Sequence, residues 1–320
     1  MSEEKTLQEL REQIEQLEAL NSRNGLDLSR EIDNLTEKLA EREKDTKEKL
    51  EEWDKVSLAR HPDRPGSEEY LDYLMDDFYP LHGDRLIGDD GALIGGLAKY
   101  KGKTVMVIAQ NKGGEVEQSQ QSNFGMLRSE GYRKARRLMK LAETFQFPVL
   151  TLIDTPGAYP GKEAEERNIG GMIAKSISEM VSLEVPTVAA VIGEGGSGGA
   201  VAIGAADRVL MLENSIYSVI SPEGCAAILW EDRDKADEAA RALKLTAGHA
   251  QSLGIIDEII PEGGSGAHDD FETTADNLDN SLTKHLEELE NYKEDQLLAK
   301  RREKYRSIGS FKKVMKKEQS

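Results

Sequence analysis

The chain has 320 residues, enough for one large domain or two smaller ones with a sizeable buried core. Its 60 acidic and 42 basic residues give a formal net charge of -18, which disfavours nonspecific attraction to nucleic acid or to an anionic membrane. A single cysteine, Cys225, excludes an intramolecular disulfide and a cysteine-based zinc site within the chain. The sequence has neither a secretory signal pattern nor an apolar run of about 18 residues, so we expect a cytoplasmic protein.

The first 52 residues are expected to form a helical arm outside the catalytic core. Apolar residues recur there at intervals of three and four, which is typical of the seam of a helical hairpin or coiled coil. These residues are Leu7, Leu10, Ile14 and Leu17, followed by Leu28, Ile32, Leu35 and Leu39. A polar helix packed on its own domain fits the same pattern, and both interpretations leave residues 1–52 outside the core.

Residues 53–262 alternate between strand and helix patterns, which predicts an α/β core with a sheet covered by helices. The predicted strands are 105–110, 149–153, 185–192 and 208–212, and the predicted helices are 131–145 and about 163–184. A flexible joint is expected at Gly263 to Gly266, at the start of a C-terminal helical tail, residues 263–320.

Residues 192–204 read I-G-E-G-G-S-G-G-A-V-A-I-G and follow a buried strand pattern. Glycine permits tight turns and lets main-chain N–H groups come close to a bound group. The segment therefore predicts a cradle for an anion or an oxyanion. Such cradles stabilise charge that develops during a reaction, which indicates an enzyme.

Three short motifs resemble parts of a GTPase: Gly102-Lys103-Thr104, Asn111-Lys112 and Asp154-Thr155-Pro156-Gly157. A phosphate-binding loop needs a glycine five residues before Gly102, but Leu97 occupies that position. Gly102 also precedes a strand pattern instead of a helix. A hairpin turn is therefore the better interpretation of this motif.

Residues 195–199 also fit the G-x-S-x-G pattern of serine hydrolases, with Ser197 as the nucleophile. Such an enzyme needs a positioned histidine and a carboxylate, for which the chain offers Asp257 and His268. His268 lies in the glycine-rich joint and His249 lies in a helix pattern, and neither is a well-positioned base. The hydrolase stays the weaker alternative.

Seven segments, taken in order, resemble one family, the carboxyltransferase alpha subunit of bacterial multi-subunit acetyl-coenzyme A carboxylase. They are residues 81–85, 123–126, 130–135, 153–161, 164–167, 193–200 and 217–224. The resemblance implies an α/β, crotonase-like fold, a spiral of strand-strand-helix units with an N-terminal helical arm and a C-terminal helix. Two departures stand out: the family's basic run before Asn123 is missing at 113–122, and residues 168–172 differ.

The resemblance further implies transfer of a carboxyl group from carboxybiotin to acetyl-CoA, giving malonyl-CoA for fatty acid synthesis. Another acyl-CoA substrate stays open. The implied assembly is an α2β2 heterotetramer in which the beta subunit carries a zinc ribbon and most of the coenzyme A contacts. The biotin carboxyl carrier protein and biotin carboxylase are the other implied partners, and this chain is expected to hold no metal and to bind no DNA or membrane.

By the same resemblance, main-chain N–H groups of Gly198, Gly199 or Ala200 would receive the charge on the ureido oxygen of biotin. The implied biotin groove consists of Gly195, Gly196, Ser197, Thr155, Pro156, Gly157, Ala158, Tyr159, Ser221, Pro222, Glu223 and Gly224. Candidate contacts for substrate phosphates or an acidic carrier are Tyr132, Arg133 and Arg137, for which a solvated helix face is an equal alternative.

Overall fold

The computed structural model describes residues 10–14, 16–21, 28–48, 50–114 and 116–309. One compact unit ends at Asp54, and a second begins at Lys55 and includes the C-terminal helices. The division into 1–52, 53–262 and 263–320 stays a prediction. None of the helices in these described ranges is both long and apolar enough to cross a membrane.

The unit before Lys55 is helical at residues 10–14 and 16–21, here called α1, and over Ser29–Glu48, α2. Among the predicted seam residues, Leu7 lies outside the described residues. The others are all half-buried: Leu10, Ile14, Leu17, Leu28, Ile32, Leu35 and Leu39. The N–H of Leu28 donates to Oδ1 of Asn21 at 3.1 Å, which ties the end of α1 to the start of α2.

An eight-stranded mixed sheet organises the second unit. Its strands are β1 Asp77–Pro80, β2 Leu93–Tyr100, β3 Lys103–Gln110, β4 Val149–Thr155, β5 Thr187–Gly196, β6 Arg208–Leu212, β7 Ile216–Ser218 and β8 Glu258–Ile260. The order is β1-β2-β3-β4-β5-β6-β8, with β7 paired to the end of β5. Strands β1 to β3 are antiparallel, and the pairs from β3 onwards are parallel.

The hairpin predicted at Gly102 is present between β2 and β3. Tyr100 pairs with Lys103, and Lys101 and Gly102 have φ values of 48° and 77°. Positive φ at both central residues is what a two-residue hairpin turn of type I′ requires. The motif is a turn between antiparallel strands, so the phosphate-loop interpretation is wrong.

Helices cover both faces of the sheet. They are α3 Glu52–Ala59, α4 Ser67–Leu74, α5 Val116–Gln121, α6 Ser129–Phe145, α7 Lys162–Glu166, α8 Ile169–Ser182, α9 Ser197–Gly204, α10 Pro222–Trp230, α11 Ala236–Leu243, α12 Ala247–Ser252, α13 Phe271–Glu290 and α14 Glu294–Ser307. Successive side chains of a strand point to opposite faces. Accordingly, Met106 and Ile108 of β3 join the core under α6 and α8, while Val107 and Ala109 join the core under α4 and α13.

Two predicted boundaries are wrong for local reasons. The helix predicted over 163–184 is divided at Asn168, whose φ is 62° and whose side chain caps α8 by accepting the N–H of Gly171 at 3.3 Å. The strand predicted to end at residue 192 continues to Gly196, because Glu194 to Gly196 pair with β7. The first half of the glycine-rich segment is therefore strand.

The joint predicted at Gly263 to Gly266 is a packed connection in the structure. Gly263 forms a bridge with Asp270, and the N–H of Ala267, which is fully buried, donates to Oε2 of Glu262 at 2.8 Å. A Cβ atom on Gly263 would lie 2.6 Å from Oδ2 of Asp270. Glycine at this position therefore permits close packing of the chain.

Candidate active site

Two turns meet where the adjacent parallel strands β4 and β5 end. One comprises residues 155–158, and the other, called the elbow below, comprises residues 195–199. A Cβ atom on Gly196 would lie 2.2 Å from the carbonyl oxygen of Pro156, and one on Gly199 would lie 2.8 Å from the carbonyl carbon of Gly157. Only glycine allows this approach, which explains the residue type at both positions.

The elbow ends as the first turn of α9. Gly196 precedes the helix with an extended backbone, and Ser197 has a φ of 51°, an uncommon value for a residue other than glycine. Gly198 and Gly199 are the second and third helical residues, whose N–H groups have no partner four residues back. In the described part of the chain, no side chain or loop carbonyl accepts from either group.

Ala200 differs from its two neighbours. It is the fourth residue of α9, so its N–H is the first that reaches the carbonyl four residues earlier, that of Gly196. Gly199 and Ala200 are both buried, so burial does not distinguish these two residues. The contribution of Ala200 to an oxyanion hole stays a prediction, and the helix geometry favours Gly198 and Gly199 as the donors.

Neighbouring side chains fix the shape of both turns. The Thr155 hydroxyl donates to the carbonyl of Gly157 at 2.8 Å and lies 3.1 Å from the N–H of the same residue. Nε2 of Gln110, a buried residue at the end of β3, donates to the carbonyl of Gly199 at 2.9 Å. The other amide atom of Gln110, Oε1, is buried with no partner. A hydrogen bond from the end of β3 thus fixes the main chain of the elbow.

A buried charge cluster lies at the start of the elbow. Oε1 of Glu194 lies 2.7 Å from Nζ of Lys112, and its Oε2 accepts from Nε of Arg60 at 2.7 Å. The N–H of Glu194 donates to Oδ1 of Asp154 at 2.9 Å. Burial opposes ionisation of Glu194, but Lys112 and Arg60 outweigh it and lower the pKa of the carboxyl group. Both the side chain and the main chain of Glu194 are therefore fixed at the point where β5 leads into the elbow.

The third wall of the site is the segment 221–224 at the start of α10. The Ser221 hydroxyl accepts the N–H of Gly224 at 3.1 Å as an N-cap, and Pro222 occupies the first helical turn. Oε1 of Glu223 accepts from Nη1 of Arg60 at 2.6 Å.

A small cavity of about 20 Å³ separates this segment from the elbow. It is lined by Arg60, Pro156, Glu194, Gly195, Gly196, Ile216, Ser218, Ile220, Ser221 and Pro222. The structure thus brings together members of all three predicted segments, 155–159, 195–199 and 221–224. A cavity of this size has room for about one water molecule, so a larger ligand has to bind at its open side.

Of the three predicted contact residues on α6, one is buried and two donate hydrogen bonds to the loop after β1. Tyr132 is fully buried, so it has no surface to offer a phosphate or a carrier. Arg133 donates to Oδ2 of Asp84 at 2.7 Å, and Arg137 donates to the carbonyl of Gly83 at 3.0 Å. These arginines brace the loop after β1. Full burial rules out a surface contact by Tyr132, whereas a contact by the half-buried Arg133 and Arg137 stays a prediction.

The structure does not support a serine hydrolase. In the described residues the Ser197 hydroxyl makes no hydrogen bond, to a histidine or to any other group. His249 pairs with the Thr246 hydroxyl at 3.0 Å, and the ring of His268 stacks on that of His61 with centroids 4.0 Å apart. The general base that a serine nucleophile requires is therefore not in place.

Sequence reasoning missed Arg60, Gln110 and Glu194, and it considered Lys112 only as part of a GTPase motif. One signal was available. Glu194 is the only charged residue between Glu184 and Asp207, and a single charge within an apolar run needs a buried partner. The sequence does not reveal which cations supply it, because Arg60 and Lys112 lie 134 and 82 residues away.

Solved structures share this fold. Transcarboxylase 12S, determined as a hexamer with methylmalonyl-coenzyme A and methylmalonic acid bound, matches with a TM-score of 0.59 and 18% identity, over 80% of this chain and 44% of that chain. A Pseudomonas malonate decarboxylase hetero-tetramer in complex with coenzyme A matches with a TM-score of 0.58 and 16% identity, over 72% of this chain and 90% of that chain. The predicted crotonase-like α/β fold is confirmed.

Sequence relatives are much closer. The acetyl-coenzyme A carboxylase carboxyl transferase subunit alpha of Bacillus cereus is 50% identical over 306 residues, which cover 96% of this chain and 94% of the relative. The subunit of the same name from Bacillus thuringiensis is 49% identical over the same length. A family model described as acetyl co-enzyme A carboxylase carboxyltransferase-like matches residues 1–309. The chain therefore belongs to the family of acetyl-coenzyme A carboxylase carboxyltransferase alpha subunits.

Proposed function

We propose that this chain is the alpha half of a carboxyltransferase that moves a carboxyl group from biotin on a carrier protein to acetyl-CoA and yields malonyl-CoA. The observation that carries the proposal is the pair of main-chain N–H groups at Gly198 and Gly199. They lie at the start of a helix that directly follows Gly195 and Gly196, two residues that line the small cavity, in a chain whose relatives are named for this reaction.

The residues present fit the ureido end of biotin. When bound, biotin supplies the carboxyl group and, once that group has left as CO2, the basic atom that takes a proton from the acetyl methyl group. The N–H groups of Gly198 and Gly199 hold an oxygen on which negative charge develops, and the start of α9 adds a favourable field. Loss of one such donor typically lowers kcat by about 10² to 10³.

Other parts of the site bind and orient. The turn 155–158 and the segment 221–224 form the two sides of a groove whose floor is the elbow. The cavity enclosed by this chain alone is small, about 20 Å³, so a second surface has to close over a bound ring. We assign that surface to a beta subunit in an α2β2 assembly, which also supplies the coenzyme A contacts and the donors for the thioester enolate.

The test is the reverse reaction with purified subunits. The full chain is mixed with a carboxyltransferase beta subunit, malonyl-CoA and biocytin, and acetyl-CoA release is followed. We expect activity that depends on both subunits and on biocytin. A stable complex with no turnover of malonyl-CoA would contradict the proposal and favour a scaffold that keeps the fold without catalysis. Labelling of Ser197 by a fluorophosphonate would instead favour a hydrolase.

A further inference from the structure

The geometry points to Arg60 as a positioning residue that ties one side of the groove, the segment 221–224, to the strand that leads into its floor, the elbow. Its guanidinium group joins Glu194, at the start of the elbow, to Glu223, in the first turn of α10. We infer that this tie sets the width of the groove and with it the binding of the biotin ring. The identity of the ligand rests on the proposed function, whereas the tie itself does not.

In the described residues, Arg60 is the one side chain that hydrogen-bonds both Glu194 and Glu223. Nε lies 2.7 Å from Oε2 of Glu194, and Nη1 lies 2.6 Å from Oε1 of Glu223. The planar fork of arginine can hold two carboxylates at once, whereas the single ammonium group of lysine acts as a point charge. The Arg60 side chain is 29% exposed and also lines the cavity between the elbow and the segment 221–224.

The two carboxylates differ in what else holds them. Glu194 is also held by Lys112 and belongs to a strand in the middle of the sheet. Glu223 has no other side-chain partner in the described residues. Burial opposes its ionisation, but the hydrogen bond from Arg60 lowers its pKa. The fixed partner is thus Glu194, and the segment that Arg60 restrains is the start of α10.

The start of α10 is weakly anchored apart from Arg60. Its buried residues Cys225 and Ala226 pack with Ala239 of α11 in a small cluster, separate from the two large cores of the sheet. At its other end, Ile228 and Leu229 are 72% and 62% exposed. A helix held by so few apolar contacts opens more readily than the sheet, so one charged tie has a large share in closing it.

Cys225 provides a direct readout of this tie because it is the only cysteine of the chain and is buried two residues after Glu223. The rate at which a disulfide reagent such as DTNB labels the full-length chain measures how often the start of α10 opens. We expect Arg60→Met to raise the rate about tenfold, the effect of losing one charge-assisted hydrogen bond. Arg60→Lys should give an intermediate rate.

The control is Lys101→Met, which removes an ion pair of 2.6 Å to Asp279 far from the groove and should leave the labelling rate unchanged. Arg60→Ala removes the guanidinium group, so guanidinium ion at millimolar concentration should slow the labelling of this variant. Thermal unfolding should show that each variant is folded. An equal labelling rate in the wild-type chain and in Arg60→Met would show that Arg60 does not restrain the start of α10, whatever reaction the chain catalyses.

The consequence for the site is tested with the beta subunit present. We expect Arg60→Met and Glu223→Gln each to raise KM for biocytin about tenfold while KM for malonyl-CoA stays within twofold. The double variant should be no worse than either single variant, because both remove the same contact. Faster labelling of Cys225 with an unchanged KM for biocytin would leave the tie standing but refute its role in binding. Absence of wild-type turnover would count against the proposed function alone.

Discussion

The two ends of strands β5 and β6 both bury charge, but they use it differently. At the carboxyl end of β5, Glu194 is held by Lys112 and Arg60, and the main chain that follows begins α9, where the N–H groups of the second and third residues have no partner four residues back. At the opposite end, Asp207 before β6 accepts the N–H and the hydroxyl of Thr187 at the start of β5, both at 2.9 Å. We assign the first arrangement to binding, whereas in the second the buried polar groups satisfy one another.

Arg301 of α14 completes the closed end. It is 1% exposed and donates to both oxygens of Asp207, at 2.8 and 2.6 Å. Its remaining donors reach the carbonyls of Met180, Leu183 and Val185 at 3.1, 2.6 and 3.0 Å. A fully satisfied buried network holds structure and has nothing left for a ligand. We therefore assign binding to the edge where a helix start follows the cavity-lining glycines of the elbow, and a structural role to the edge at Asp207.

The largest expected effect breaks the closed end. Arg301→Met leaves Asp207 buried without its cation, and removal of one partner of a buried pair typically costs about 3–5 kcal/mol. We expect urea unfolding to show a loss of this size, with unchanged turnover per folded molecule. Arg302→Met, at the exposed neighbouring position, should stay within about 0.5 kcal/mol of wild type. A stable Arg301→Met with impaired turnover would reverse the roles assigned to the two ends.

The next effect disturbs the open end. In Gly199→Ala the added methyl group meets the main chain of Gly157, with 2.8 Å to its carbonyl carbon, and has to push the elbow away from the turn 155–158. We expect kcat to fall by about 10² to 10³, the loss typical of one displaced oxyanion donor, in a chain that still unfolds cooperatively.

Gly170→Ala is the matched control, because nothing lies within 4 Å of the added Cβ atom at this helical position. It should leave kcat unchanged and stabilise the chain slightly, since alanine favours helix over glycine. Normal kcat in Gly199→Ala would show that the close approach of the two turns is irrelevant to turnover.

The smallest effect separates activity from stability at the open end. Gln110→Met removes the donor to the carbonyl of Gly199 and, with it, the unpartnered Oε1. The two changes oppose each other, so we expect the free energy of unfolding to change by less than about 1 kcal/mol. Turnover should still fall about fivefold because the elbow loses a restraint. A large loss of stability with normal turnover would make Gln110 a purely structural residue.

Much of the fold was predictable because its signals are local. The strand at 208–212 matches β6 residue for residue, and the turn at Gly102 followed from its place before a strand. Asn168 was different. Asparagine is a favoured N-cap residue, but the helical pattern continues on both sides of Asn168 and hides the new helix start that its side chain caps. Strand β5 extends beyond its predicted end because it pairs with β7, which is a tertiary contact.

The residues of the site likewise fall into those that the sequence revealed and those that it did not. Glycines 196, 198 and 199 were identified from sequence because backbone freedom and close approach leave a mark on composition. The residues that hold them were not, since Arg60 directly follows α3, Gln110 is the last residue of β3 and Lys112 lies two residues further on. Tyr132 shows the opposite error. The resemblance grouped Tyr132 with Arg133 and Arg137 as candidate contacts, but the position of Tyr132 on α6 points it into the core.

The most direct test of the central claim is a structure of the full chain with its beta subunit and biocytin, in which one distance is measured. The account predicts that the ureido oxygen lies 2.7–3.2 Å from the main-chain nitrogen of Gly198 or Gly199, within ordinary hydrogen-bond range. A ureido oxygen bound only by groups of the beta subunit, with both nitrogens facing water, would contradict it.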